Sequence, residues 1–390
     1  MEPKIRFKGF EGEWKTPLFS EMVERISASG QAGMLPGVEF EDIASGEGCF
    51  NKNIYQKECH KYGKLFYEGD ILFGKLRPYL KNIILADFNG VAIGDFWVLR
   101  SKGLDEKYLY TLVNSESFLK VANISSGSKM PRADWNLVST TKFVVPSAKD
   151  EQKAIGKYFT SLDSQISAAT SRLASLKQMK AASLQAMFPQ EGETVPKMRF
   201  KGFEGEWKKV SFKDFTFHAG TKNRDNLPLE SYSISNEFGF IPQNEQFENG
   251  GTMTQADKRM YYIVSPNSFA YNPARINVGS LGYYEGKEDV IVSSLYEVFK
   301  TDDTICDKFL LYWFKTDIFQ KMIEQFQEGG VRLYFFYDKM CKCSLMRPPL
   351  AEQQAIASYF TSLDRQISLQ SQRLEKLKQI KSACLDKMFV

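Results

Sequence analysis

Histidine is nearly missing from this chain: His60 and His218 are the only two in 390 residues. That starves acid–base and nucleophilic schemes built on imidazole. No G-x-G-x-x-G occurs, and no Gly-Lys pair is followed by Ser or Thr, so a nucleotide-phosphate cradle is not written here. The six cysteines form no matched framework. Cys59-His60 with Cys49, and Cys341-x-Cys343, fall short of a paired C-x₂-C metal pattern, so buried free thiols are expected. No basic-plus-apolar leader precedes them, and no apolar run approaches the ~18 residues of a membrane span. The expected location is the cytoplasm, with no membrane partner. Excess charge is small too, at +4, a weak hint of a polyanionic partner.

Acidic-x-Lys triplets of the kind found in metal nucleases occur at Glu13–Lys15, Glu151–Lys153, Glu206–Lys208 and Glu285–Lys287. In a chain with 25% charged residues several arise by chance. Asn272-Pro273 lacks the second proline and the aromatic of an amino-methyltransferase loop. No catalytic or metal residue, and no cofactor held by this chain, is expected. Hydrophobic content of 43% with 14% aromatics is ample for globular cores.

What the chain has is a long-period duplication. PKIRFKGFEGEWK (3–15) returns as PKMRFKGFEGEWK (196–208). EQKAIGKYFTSLDSQISAATSRLASLKQMKAASLQAMF (151–188) returns as EQQAIASYFTSLDRQISLQSQRLEKLKQIKSACLDKMF (352–389). Residues 16–148 and 209–348, between these anchors, show little identity. The internal junction Met187-Phe188 to PKMRF matches what would form if the C-terminus were joined to the N-terminus. The repeat is therefore circular, which predicts an approximate two-fold object.

In the paired segments, positions 155, 159, 162, 166, 169, 173, 176, 180, 183 and 187 alternate in steps of four and three, as do their partners from Ile356 to Met388. That narrow stripe predicts two helices of about 37 residues, roughly 55 Å each, pairing as an antiparallel coiled coil. Lys180, Lys381, Gln370 and Ser183 interrupt the stripe toward its C-terminal half. Pro146 and Pro348-Pro349 set extended segments before the helices.

The variable segments carry strand-like runs, ILFGKL (71–76), NIILADF (82–88) and FWVLR (96–100) in the first, MYYIV (260–264), SFAYNP (268–273) and VIVSSLYEVF (290–299) in the second. Helical periodicity follows at 109–124 and 309–326. Each segment also has an Arg-bearing loop after a strand, and a Gly-containing basic loop before the long helix. The fold class is α+β: two similar mixed domains separated by two long helices. The expected boundaries are 1–148, 149–190, 191–348 and 349–390.

Two variable domains, each followed by a shared helix, resemble the specificity subunit of type I DNA restriction–modification systems. FVVPSAKDEQKAIGKYFTSLDSQI (143–166) and MRPPLAEQQAIASYFTSLDRQI (346–367) carry the likeness most specifically. Glu151-Gln152 and Glu352-Gln353 match the family's pattern, as do Asp163/Ile166 and Asp364/Ile367; Ile155-Gly156 stands where the second copy has Ile356-Ala357. The resemblance implies two target recognition domains, each reading half of a split sequence in double-stranded DNA. The helices would set the spacing and dock two modification subunits that use S-adenosylmethionine. Restriction subunits using ATP and Mg²⁺ would cut. The chain itself would not be an enzyme.

Base reading needs bidentate donors: Arg or Lys for guanine, Asn or Gln for adenine. The DNA-binding candidates in the first domain are Lys75, Arg77, Lys81, Ser128, Lys129 and Arg132. In the second they are Asn272, Arg275, Asn277, Arg332, Tyr334 and Lys339. The bland alternative for each is a solvated charge or a surface ion pair. Tyr79 and Trp135 could flank bases, although core packing is the commoner use of such rings. Being identical in both halves, the box residues Arg6, Phe7, Trp14, Arg199, Phe200 and Trp207 cannot discriminate half-sites and are assigned to scaffold or docking. A competing function is a bivalent coiled-coil protein scaffold without DNA specificity.

Overall fold

The computed structural model describes residues 3–33, 35–124, 130–236, 238–246 and 257–389. It divides into two units, residues 1–173 with 369–390, and residues 174–368. Each unit thus combines one variable segment with the start of one long helix and the end of the other.

In the first unit, strands Val23–Ile26, Phe96–Ser101, Ile71–Gly74 and Ile83–Leu85 form an antiparallel sheet in that order. The ILFG run is buried at every position, as expected of a strand covered on both faces. Alternation still sorts its side chains. Phe73 stacks on Trp97 at 5.4 Å in the core that also holds the helices. Leu72 and Val98 point the other way, into a smaller core beneath a second sheet built from 29–31, 62–66, 90–92 and 37–38.

The second unit repeats this plan. Strands Thr216–His218, Glu297–Thr301, Ser268–Tyr271 and Leu281–Tyr284 form the central sheet. Phe269 and Phe299 face the helical core, while Ala270 and Val298 face the second sheet.

Two runs expected as single helices are each broken. Residues 106–113 and 116–122 are separate because Ser115 donates its hydroxyl to Leu112 O at 2.6 Å and accepts from Phe118 N at 3.3 Å. One hydroxyl therefore ends one helix and starts the next. Residues 307–313 and 317–326 divide at Thr316, whose hydroxyl donates to Trp313 O at 2.7 Å. VIVSSLYEVF likewise supplies two strands, 290–292 and 297–301, in different sheets.

The long helices run Lys149–Ala186 and Leu350–Met388. Within the first unit Tyr158 faces Cys384, Asp163 faces Lys381, and Gln370 Nε2 donates to Ala169 O, so the two segments are antiparallel. Within the second unit Ser183 bonds Tyr359 and Lys180 pairs with Asp364, again antiparallel. The polar residues that interrupt the stripe are thus paired across the seam.

The repeated box closes each unit. Arg6 donates to both Glu151 oxygens at 2.6 and 2.8 Å and to Gly12 O at 2.8 Å. Arg199 does the same to Glu352, at 2.7 Å to each oxygen, and to Gly205 O at 2.6 Å. Both carboxylates are buried, so a bidentate guanidinium is what makes their charge tolerable. Gly12 and Gly205 have φ of 92° and 80°, a region open to glycine, and that turn presents their carbonyls. The adjacent glutamines lock the helix to its domain. Gln152 accepts from Asp105 N and donates to Pro146 O; Gln353 accepts from Cys306 N and donates to Pro348 O. The Glu-Gln phrase is a structural knot.

Candidate nucleic-acid interface

In the first unit the loop 75–81 leaves the central strand at Gly74. Arg77 and Lys81 bracket a short turn, Pro78–Leu80, and both adopt left-handed backbone, with φ of 49° and 53°. Non-glycine residues there carry strain of about 1–3 kcal/mol each, tolerated where the surroundings impose it. The surroundings are visible: Arg77 N donates to Pro131 O at 2.8 Å, and Ala133 N donates to Lys75 O at 2.9 Å. These bonds zip the segment 131–133 against the first loop.

Asp95 joins them electrostatically. It lies 3.3 Å from Lys75 Nζ and 3.2 Å from Arg132 Nη2, and its carbonyl accepts from Lys75 N. Burial opposes its ionisation, but the hydrogen bonds from Lys75 and Arg132 prevail and hold it below the usual carboxylate range.

The second unit brings its loops together in the same way. Phe335 N donates to Pro273 O at 3.0 Å, and Glu328 and Tyr334 exchange two backbone bonds to form a tight hairpin. Arg332 sits exposed in that hairpin beside Val331. Tyr334 stacks on Phe336 with ring centroids 5.4 Å apart.

The candidates therefore separate into two groups. Lys75 and Arg132 are tied to Asp95, Lys339 lies 2.7 Å from Glu328, and Asn272 accepts from Ala274 N to shape its own turn. Arg77, Lys81, Arg275, Asn277 and Arg332 are exposed, with no side-chain hydrogen bond or ion pair among the described residues. Ser128 and Lys129 lie outside the described residues. Tyr79 is 55% exposed beside Arg77, against the expectation of core packing.

Sequence reasoning missed three further residues. Arg25 lies over the Trp135 ring at 4.8 Å. Lys64 donates to Phe96 O; burial, with the charges of Lys75 and Arg25, lowers its ammonium pKa. In the second unit Lys222 lies 3.9 Å from the Tyr262 ring centroid. Each sits in a strand beside an apolar neighbour, where a single charged position gives no local motif.

Of the six free cysteines only Cys343 is buried, and the rest are partly exposed. Among the described residues no cluster of His, Cys, Asp and Glu could hold a metal ion, and no helix is long and apolar enough to cross a membrane.

Residues 205–379 match the family model of the type I restriction modification DNA specificity domain. Among curated proteins the chain is similar to the type I restriction enzyme MjaVIII specificity subunit of Methanocaldococcus jannaschii, 21% identical over 310 residues. That match covers 74% of this chain and 70% of the relative. A second is the EcoDI specificity subunit of Escherichia coli, 25% identical over 120 residues, spanning 29% of this chain and only 27% of that protein's length. The type I restriction–modification S subunit from M. genitalium shares the fold, with a TM-score of 0.62 at 12% identity over 100% of this chain and 99% of that one. The two-unit fold is shared with that S subunit. The chain is thus similar to specificity subunits of type I restriction–modification systems, with the specificity domain matched over residues 205–379.

Proposed function

We propose that residues 1–148 and 191–348 each read one half of a bipartite duplex DNA target, with 149–190 and 349–390 setting the interval between the half-sites. The observation that carries this reading is the recurrence of one device in both units. Two loops, rich in donors and zipped by backbone bonds, display exposed side chains that have no partner among the described residues: Arg77 and Lys81 in one unit, Arg275, Asn277 and Arg332 in the other. Backbone fixation matters because a bidentate contact discriminates only when its donor is held in place. The differing donor sets would give the two half-sites different sequences.

The helices would dock two modification subunits, with S-adenosylmethionine bound there, and restriction subunits would bring ATP and Mg²⁺. Chemistry would reside in those partners, and this chain would supply the address. The reading is tested by retention of the full chain on duplex DNA across a salt titration. Neutralising several phosphates gives a log–log slope of ~0.9 per phosphate. Retention that is absent, or indifferent to salt, contradicts it.

A further inference from the structure

We propose that Asp95 is a specificity-determining residue: by holding Lys75 and Arg132, it suppresses sequence-independent phosphate attraction and leaves Arg77 and Lys81 as the reading donors of their loop. The inference rests on the DNA-reading role proposed for this unit and deepens it.

The arrangement is costly to explain as a stabilising device. Side-chain exposures of 30% for Lys75, 52% for Arg132 and 31% for Asp95 place the cluster at the surface, where ion pairs add little stability. The loops are already joined without it, through the Arg77–Pro131 and Ala133–Lys75 backbone bonds. What the carboxylate does change is the charge on display. It stands between two cations on the segments flanking Arg77, and both are drawn toward it. A phosphate approaching this surface must compete with Asp95 for Lys75 and Arg132. Arg77 has no such competitor among the described residues, and its left-handed backbone is anchored by its own N–H.

Cations that meet only phosphates attract every duplex equally, so they raise affinity without raising discrimination. Occupying them with a fixed carboxylate weakens that uniform attraction. Asp95 therefore acts as a positioning residue for two side chains and as a filter on nonspecific binding.

The test uses the full chain with two probes: a duplex library with a randomised core, and a single mixed-sequence duplex. Wild-type protein selects a bipartite motif from the library if the underlying reading holds; selection of none overturns that reading and this inference with it. Given wild-type selection, Asp95→Asn binds the mixed-sequence duplex more tightly. Its log–log salt slope steepens by ~0.9 for each cation that gains a phosphate. Its selected motif loses information in one half-site and keeps the other. Asp95→Glu restores the wild-type slope at least in part. If Asp95→Asn is unstable, the triple variant Asp95→Asn/Lys75→Gln/Arg132→Gln decides the charge argument. Relative to wild type its slope does not steepen, because the freed cations are absent. An unchanged slope and motif in folded Asp95→Asn overturns the proposal and leaves the reading intact. So does a steeper slope in the triple variant.

Discussion

Lys381 Nζ lies 2.5 Å from Asp163 Oδ1, with each side chain about one-fifth exposed. Lys180 and Asp364 repeat the pair in the second unit at the same distance. Two lysines that break the apolar stripe thus each meet an aspartate of the other long helix. Burial raises the Asp163 carboxyl above its ordinary range even though Lys381 pulls it down. A carboxyl whose folded pKa exceeds its unfolded one binds more protons when folded. Its contribution to stability therefore falls as pH rises from about 3.8 through the raised value. Removing the cation enlarges that loss. Lys381→Ala is expected to cost about 1–3 kcal/mol at neutral pH, between the values for exposed and fully buried pairs. The cost should shrink on acidification as Asp163 takes up its proton. Urea denaturation of both proteins at pH 7 and near pH 4 measures it; a cost independent of pH contradicts the pairing.

Gly156 breaks the parallel with Ala357, and the contact explains why. A Cβ there would lie 2.6 Å from Tyr108 N and 2.8 Å from Lys107 C, both backbone atoms. In an open helix Gly→Ala stabilises by about 1 kcal/mol. Here Gly156→Ala is expected to destabilise by about 1–3 kcal/mol through overpacking. A thermal scan showing stabilisation would mean that the helix does not approach residues 107–108 so closely.

Arg199 holds the buried Glu352 with two bonds and reaches the Gly205 carbonyl with a third. Lysine cannot reproduce that fork. Arg199→Ala should destabilise the second unit by about 3–5 kcal/mol, since it strands a buried charge. Arg199→Lys should recover only part of this. Calorimetry that finds the two variants equal to wild type excludes the knot as a source of stability.

Arg77 and Arg275 occupy corresponding loops after corresponding strands. If each reads a base, its change to alanine costs about 1–3 kcal/mol and relaxes one position of one half-site. Competitive binding to duplexes substituted position by position gives the answer. A loss equal across all duplexes reassigns the residue to phosphate.

The architecture was legible because it is written as repetition. Near-identical boxes and similar helix sequences revealed two units, and the 4-3 stripe revealed the antiparallel seam. Less legible were features that depend on one atom meeting another across the fold. The helix break at Ser115 depends on a single hydroxyl inside an otherwise continuous periodic run. The Glu-Gln phrase was visible as a family mark, but its work on Arg6 and Asp105 N is a tertiary fact. At the interface the loops could be paired from their position in the repeat. Which cations are already occupied could not, because Asp95 lies far in sequence from Arg132 and nothing local marks it as their shared partner.

The central claim is that the two units read separate halves of one target. It is tested most directly by replacing residues 16–148 with the corresponding segment of a type I restriction enzyme specificity subunit. The chimera is expressed with the modification subunit proposed to dock on its helices, and methylated positions are mapped across the host genome. The account predicts a bipartite motif in which one half is new and the other unchanged. A motif altered in both halves, or in neither, would contradict it.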